Sequence, residues 1–195
     1  MRSLIVFIAV LSILSAKPVY AENFVIDSEN SQIGFSVKHM VISTVEGKFT
    51  VFTGGFEFDE KDSEVHKAHL TIDAASVDTY HPHRDDELRG PDFFNVVKYP
   101  HIKFVLKNFK NGEGGTAAAT GDLTIHGITK KIELAGDYLG SMTGPDGKLR
   151  VGFSARGTLD RRDFGLIWNK FLDTGEIVVG NEITITLEIV GISGG

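Results

Sequence analysis

The side chains in this sequence that could do chemistry are few and scattered. His81 and His83 flank Pro82, with His66 and His69 further upstream. Imidazoles at such extended spacing could join a metal site, but the chain has no Cys and no paired-carboxylate pattern beside them. Solvated loop histidines are therefore the default, and no metal is assigned. His39 ends the run Gln32 to His39 on its inward parity. A hydrogen-bonded core histidine is the simpler reading there, and a general base the sharper one. Arg84-Asp85 and Arg161-Arg162-Asp163 join guanidinium to carboxylate, the usual form of structural ion pairs at the ends of a fold. Alternatively, Arg84 or Arg162 could meet the oxygens of a bound molecule, because guanidinium matches planar oxygen pairs. There is no Gly-x-Ser-x-Gly elbow, no His-Glu-x-x-His and no phosphate loop. No catalytic residue and no cofactor follow from these residues, and the expectation is a protein that is not an enzyme.

What must position such residues is a set of strands. In Gln32 to His39, the residues Ile33, Phe35, Val37 and His39 share one parity, as extended side chains alternate between faces. Val45, Gly47, Phe49 and Val51 repeat the pattern, and Phe56 and Phe58 resume it after Gly54-Gly55. A Gly pair inside a strand pattern predicts a bulge, which lets a sheet curl. The same alternation recurs in Ala68-Leu70-Ile72, in Ile102-Phe104-Leu106 and in Ala117-Ala119-Gly121-Leu123-Ile125. It continues through Ile132-Leu134-Tyr138, Val151-Phe153-Ala155-Leu159 and Ile183-Ile185-Leu187-Ile189. Two segments break it. Between Tyr80 and Pro100, a charged, helix-compatible stretch ends at Gly90-Pro91 and is followed by Phe93-Phe94, predicting helical turns over an opening with the Phe pair inward. Arg161 to Trp168 has neither period. The tally predicts an all-β fold, an eight-stranded antiparallel barrel with one short helical segment over one opening. Such a barrel can be filled by its own side chains or can hold one small ligand.

Arg2 followed by the apolar run Leu4 to Leu14 reads as a secretory leader with cleavage after Ala21, since the run is too short to span a bilayer. Residues 22–195 then form one domain with no further hydrophobic span. Without Cys, a secreted chain must stabilise itself through its core, and a periplasmic location is expected. The formal charge is −6, more negative once Arg2 and Lys17 leave with the leader. Nucleic acid and anionic membrane surfaces, which call for a cationic face, are disfavoured as partners.

Taken in order, several of these pieces resemble the YceI-like proteins, secreted lipocalin-like barrels. They are Phe24-x-Ile26-Asp27 with Ser31 to His39, Val45-x-Gly47-x-Phe49, Ser76-x-Asp78-Thr79, and Arg84-Asp85 with Leu88. Phe93-Phe94, Tyr99-Pro100 with Phe104, Gly121 to Lys130 and Arg162-x-Phe164-Gly165 follow. The resemblance implies an apolar tunnel for a polyisoprenoid, such as a prenyl quinone or polyprenyl phosphate, or another long-chain lipid. It also implies a binding or carrier role. The residues expected at the ligand are Phe35, Val37, His39, Phe49, Phe56, Phe58, Phe93, Phe94, Phe104, Phe153, Phe164 and Trp168, with Arg84 and Arg162 as head-group candidates. At roughly 0.8 kcal/mol per buried CH₂, a twenty-carbon chain would gain about 16 kcal/mol gross, so no conspicuous polar motif is needed. The competing readings are an enzyme acting on a bound lipid, with His39 or Arg84-Asp85 as first suspects, and a stress-related interaction module with a filled core. A homodimer is compatible with all three.

Overall fold

The last strand of the chain closes the sheet against the first. The computed structural model describes residues 21–40, 42–112, 116–169 and 178–194; apart from Ala21, the expected leader lies outside them. β1 (Glu22–Ile26) and β2 (Gln32–His39) both pair with β11 (Val179–Ser193), through Ile26↔Gly191 and Gln32↔Glu188. They are therefore one stave, interrupted by the polar loop 27–31. β3 (Ser43–Phe49) and β4 (Phe52–Asp59) form the next stave, and β5 (Glu64–Asp73) with the short β6 (Val77–Asp78) the third. β7 (His101–Asn111), β8 (Thr116–Ile125), β9 (Ile128–Thr143), β10 (Leu149–Asp160) and β11 follow as antiparallel neighbours. Eleven strand segments thus make the eight-stave, up-and-down, lipocalin-like barrel that the hairpin spacing predicts.

Local chemistry explains the joints. The pairing of β4 with β5 shifts register between Gly55 and Glu57, the bulge expected at the Gly pair. A Cβ at Gly55 would stand 2.7 Å from the Phe24 carbonyl oxygen, so the close approach of β1 requires glycine there. His126 and Gly127 both have positive φ and link β8 to β9 in two residues, the geometry whose twist suits adjacent antiparallel strands. Val51, expected to face inward, is exposed, and Phe52 is buried instead. The reason is the break between β3 and β4: Thr50 N–H donates to the Ser76 carbonyl and Asp73 N–H to that of Val51, so the parity resets between the two strands.

The helical excursion is α1 (Pro82–Arg89), with Pro at its start and His81 capping its first turn. It stands at the end of the barrel, here the upper end, that also carries the β2–β3, β8–β9 and β10–β11 connections. Most of the buried apolar side chains form one cluster that fills the walls of the upper and middle barrel. A second cluster, Phe24, Phe56, Phe58 and Val151, with Tyr138 and Phe153 against it, plugs the lower end on the side of β1, β4, β10 and β11.

Candidate functional site

The side chains do not meet in the middle of the barrel. A lower chamber of about 400 Å³ and an upper one of about 170 Å³ follow each other along the lumen. Leu70, Phe104, Leu134 and Leu187 line both, so these four form the waist between them. The lower volume falls within the roughly 300–1,000 Å³ of ordinary ligand pockets.

Three inward rings lie along the wall because glycine leaves room for them. Phe35 is the cross-strand partner of Gly47, and its Cζ stands 2.5 Å from where a Cβ on residue 47 would be. The ring of Phe104 covers Gly121 on β8 and that of Phe56 covers Gly191 on β11, each close enough to exclude a Cβ. Alanine on the inward face of β8 and β10, at residues 117, 119 and 155, widens the lower chamber further. Thus the sequence taper from Ala117 to Ile125 becomes a lumen that is wide below and narrow above.

The ends differ. On the side of β5, β7 and β8 the lower chamber reaches the rim, at Ser63, Asn111 and Gly112, with His69, Asp137 and Ser154 as its other polar lining. The upper chamber is lined by apolar side chains apart from Arg161, and it runs up to Leu88, Phe93, Phe94 and Leu166. Phe94 meets Phe49 (5.7 Å between ring centres), and Phe93 meets Trp168 (5.1 Å).

Two polar assemblies hold this upper end. Arg161 is buried, and its guanidinium donates to the carbonyls of Gly180 (2.9 Å), Leu166 (2.5 Å), Trp168 (2.9 Å) and Val179 (3.4 Å) and to Asn181 Oδ1 (3.3 Å). Burial lowers its pKa, opposed by the charge of Asp160. The acceptors come from both sides of the β10–β11 connection, so the side chain clasps that connection at its root. Asn169 adds to the clasp by exchanging hydrogen bonds with the backbone of Val179. The second assembly fixes α1. Buried Asp85 accepts from Thr79 N–H (2.8 Å) and Oγ1–H (2.5 Å), while Arg84 donates to Thr79 Oγ1 (2.7 Å) and to its carbonyl (2.8 Å).

The residues singled out in the sequence fall into three groups. Phe35, Val37, Phe49, Phe93, Phe94 and Phe104 line the upper chamber, and Phe56, Phe104 and Phe153 the lower. Phe58 and Phe164 are fully buried among other apolar side chains and face neither chamber. His39, Arg84, Arg162 and Trp168 also line neither. His39 ends β2 opposite Ser43, whose hydroxyl donates to the His39 carbonyl. Arg84 is engaged by Thr79. Arg162 lies on the surface in an ion pair with Asp160 at 2.5 Å. Trp168 sits at the rim against Phe93. The arginine that faces the lumen is its neighbour Arg161, and no periodicity marks which of two adjacent arginines in an aperiodic segment turns inward. Phe109 and Leu106 also line the lower chamber. The histidines at 81 and 83 are exposed, and among the described residues no group of metal-ligating side chains is assembled.

A closed eight-stave antiparallel barrel with an apolar, two-chambered lumen defines a lipocalin-like barrel. The chain belongs to the YceI-like family, whose domain matches residues 24–191. It is 40% identical over 154 residues to a UPF0312 protein of Photorhabdus laumondii, covering 78% of this chain and 80% of that one. It is 38% identical over 154 residues to protein YceI of Escherichia coli, again covering 78% and 80%. Among solved structures, it superposes on BcnA of Burkholderia cenocepacia with a TM-score of 0.73 at 25% identity, over 85% of this chain and 98% of that one. The YCEI protein of Campylobacter jejuni gives 0.71 at 32% identity, over 81% and 90%. A polyisoprenoid-binding domain from Saccharophagus degradans shares the fold, with a TM-score of 0.64 at 16% identity over 89% and 99%.

Proposed function

We propose that this protein binds a polyisoprenoid, such as a prenyl quinone or polyprenyl phosphate, or a similar long-chain lipid, and carries it through the periplasm after export by the leader at residues 1–21. The single observation behind this reading is the lumen: two apolar chambers joined at a common waist, kept open by rings seated on glycines. An elongated hydrocarbon fits such a space better than a compact polar substrate, and burying its methylenes supplies the affinity. The polyisoprenoid-binding domain that shares the fold supports the choice of ligand class. Carriage rather than catalysis is the reading because Arg84 and Asp85 are spent on Thr79 and His39 stands outside both chambers. The ligand reading is tested by stripping the protein with organic solvent, analysing the extract, and titrating the stripped protein with a prenyl quinone. Recovery of an intact long-chain lipid and saturable rebinding support it; an empty extract with no rebinding refutes it.

A further inference from the structure

Exposed apolar side chains are unevenly spread over this barrel. Among the described residues the four most exposed large hydrophobic side chains are Val97 (95%), Ile42 (93%), Ile167 (74%) and Tyr80 (72%), and all four belong to upper-end connections. They come from three separate segments that touch one another around the upper chamber. Met40, also exposed, donates its N–H to Val178 at the entry to β11, tying the β2–β3 tip to that segment. Phe93, four residues before Val97, packs on Trp168, the neighbour of Ile167. Scattered apolar side chains need no explanation, but several raised on adjoining loop tips over one apolar chamber do.

The charged side chains near the two ends are arranged differently. The β4–β5 tip at the lower end carries Asp59, Glu60, Asp62 and Glu64 against Lys61. At the upper end Lys48 stands 5.2 Å from the Tyr80 ring and Lys98 5.1 Å from the Tyr99 ring. The exposed acids of α1, Asp86 and Glu87, are engaged by Arg89 and His83. Asp92 and Asp163 are exposed at the same end, so it is mixed in charge, which suits an uncharged headgroup layer better than an anionic one. Aliphatic tips interspersed with Tyr, Trp and Lys match the boundary between headgroups and acyl chains.

We infer that the upper rim is a docking surface for a phospholipid bilayer, with Ile42, Val97 and Ile167 entering the acyl boundary. The purpose of such docking rests on the lipid-carrier reading, since a cargo passing through this end would not have to cross water. A flat protein partner would be served less well by isolated tips separated by charged side chains.

The test is flotation of the purified protein with vesicles of phosphatidylcholine and phosphatidylethanolamine, which carry no net charge. Trp168, the only tryptophan of the chain, reports on the rim. Wild type is expected to float, with Trp168 emission shifting to the blue. Replacing Ile42→Ser and Val97→Ser together should weaken partitioning about tenfold, as expected for two partly inserted aliphatic side chains. Replacing Leu139→Ser and Met142→Ser, both exposed on the lower part of β9, should leave it unchanged. The inference is overturned if wild type stays unbound with unchanged emission, if both double variants lose equally, or if the upper variant proves only to dissociate a dimer. Lipid extraction from the same samples separates the two readings: protein that floats by its upper rim but yields and rebinds no lipid keeps the docking and loses the cargo.

Discussion

The ring of Phe104 lies across Gly121 on the neighbouring strand, leaving no room for a Cβ at that position. Because Phe104 belongs to the waist between the chambers, this pair decides whether the lumen is one space or two. Gly121→Ala should drive the ring inward and divide the lumen. The expected result is at least about tenfold weaker binding of a long prenyl quinone, at a stability cost of about 1–3 kcal/mol for the overpacked ring. Lipid titration and chemical denaturation of the same variant read both quantities.

Bulk added elsewhere separates lumen from core. Phe153 lines the lower chamber, whereas Phe58 is enclosed by Phe24, Tyr138 and Phe153. Phe153→Trp should displace ligand with little loss of stability, and Phe58→Trp should cost about 1–3 kcal/mol through overpacking. Equal effects at the two positions would mean that the lumen is filled by the protein itself.

Arg161 and Arg162 are adjacent, yet their loss should differ widely. Arg161→Ala removes the donor for five uncharged acceptors at the root of the β10–β11 connection and should cost at least about 1–3 kcal/mol, the penalty of one acceptor left buried without a partner. Arg162→Ala removes a surface pair and should cost no more than about 1 kcal/mol. Urea unfolding of the two variants makes the comparison.

Asp160 links this segment to pH. The hydrogen bond from Arg162, opposed by some burial, lowers its pKa to about 2, and its carboxylate also accepts the Arg162 N–H at the start of the turn. A carboxylate whose folded pKa lies below its unfolded value near 3.9 stabilises the fold above that value, and loses the contribution as pH falls toward about 2. Stability should therefore decline over that window, and Asp160→Asn should flatten that part of the curve while leaving the turn capped. An unchanged slope in the variant would assign the decline to other carboxylates.

The alternation of Ile33, Phe35, Val37 and Phe49 made the barrel wall legible in the sequence, because strand parity alone sends these side chains inward. The Gly54-Gly55 bulge and the helix before Phe93-Phe94 were legible for the same kind of local reason. Parity failed at Val51, where hydrogen bonds from distant Asp73 and Ser76 reset the strand. It could not separate Phe153, which lines a chamber, from Phe58, which is packed shut, since both face inward and only the surrounding rings differ. Nor could it tell Arg161 from Arg162, because the acceptors that hold Arg161 come from β11. What the sequence left open was whether inward side chains meet, and the glycines opposite Phe35, Phe56 and Phe104 carry that answer only once the strands are in register.

The most direct test of an open, lipid-holding lumen is the native mass of the protein purified from its own host without detergent. The expected mass is polypeptide plus one long-chain lipid, with the extra mass lost in organic solvent and carried by a smaller fraction of Gly121→Ala. A wild-type mass equal to the bare polypeptide, unchanged after incubation with prenyl quinone, would contradict it.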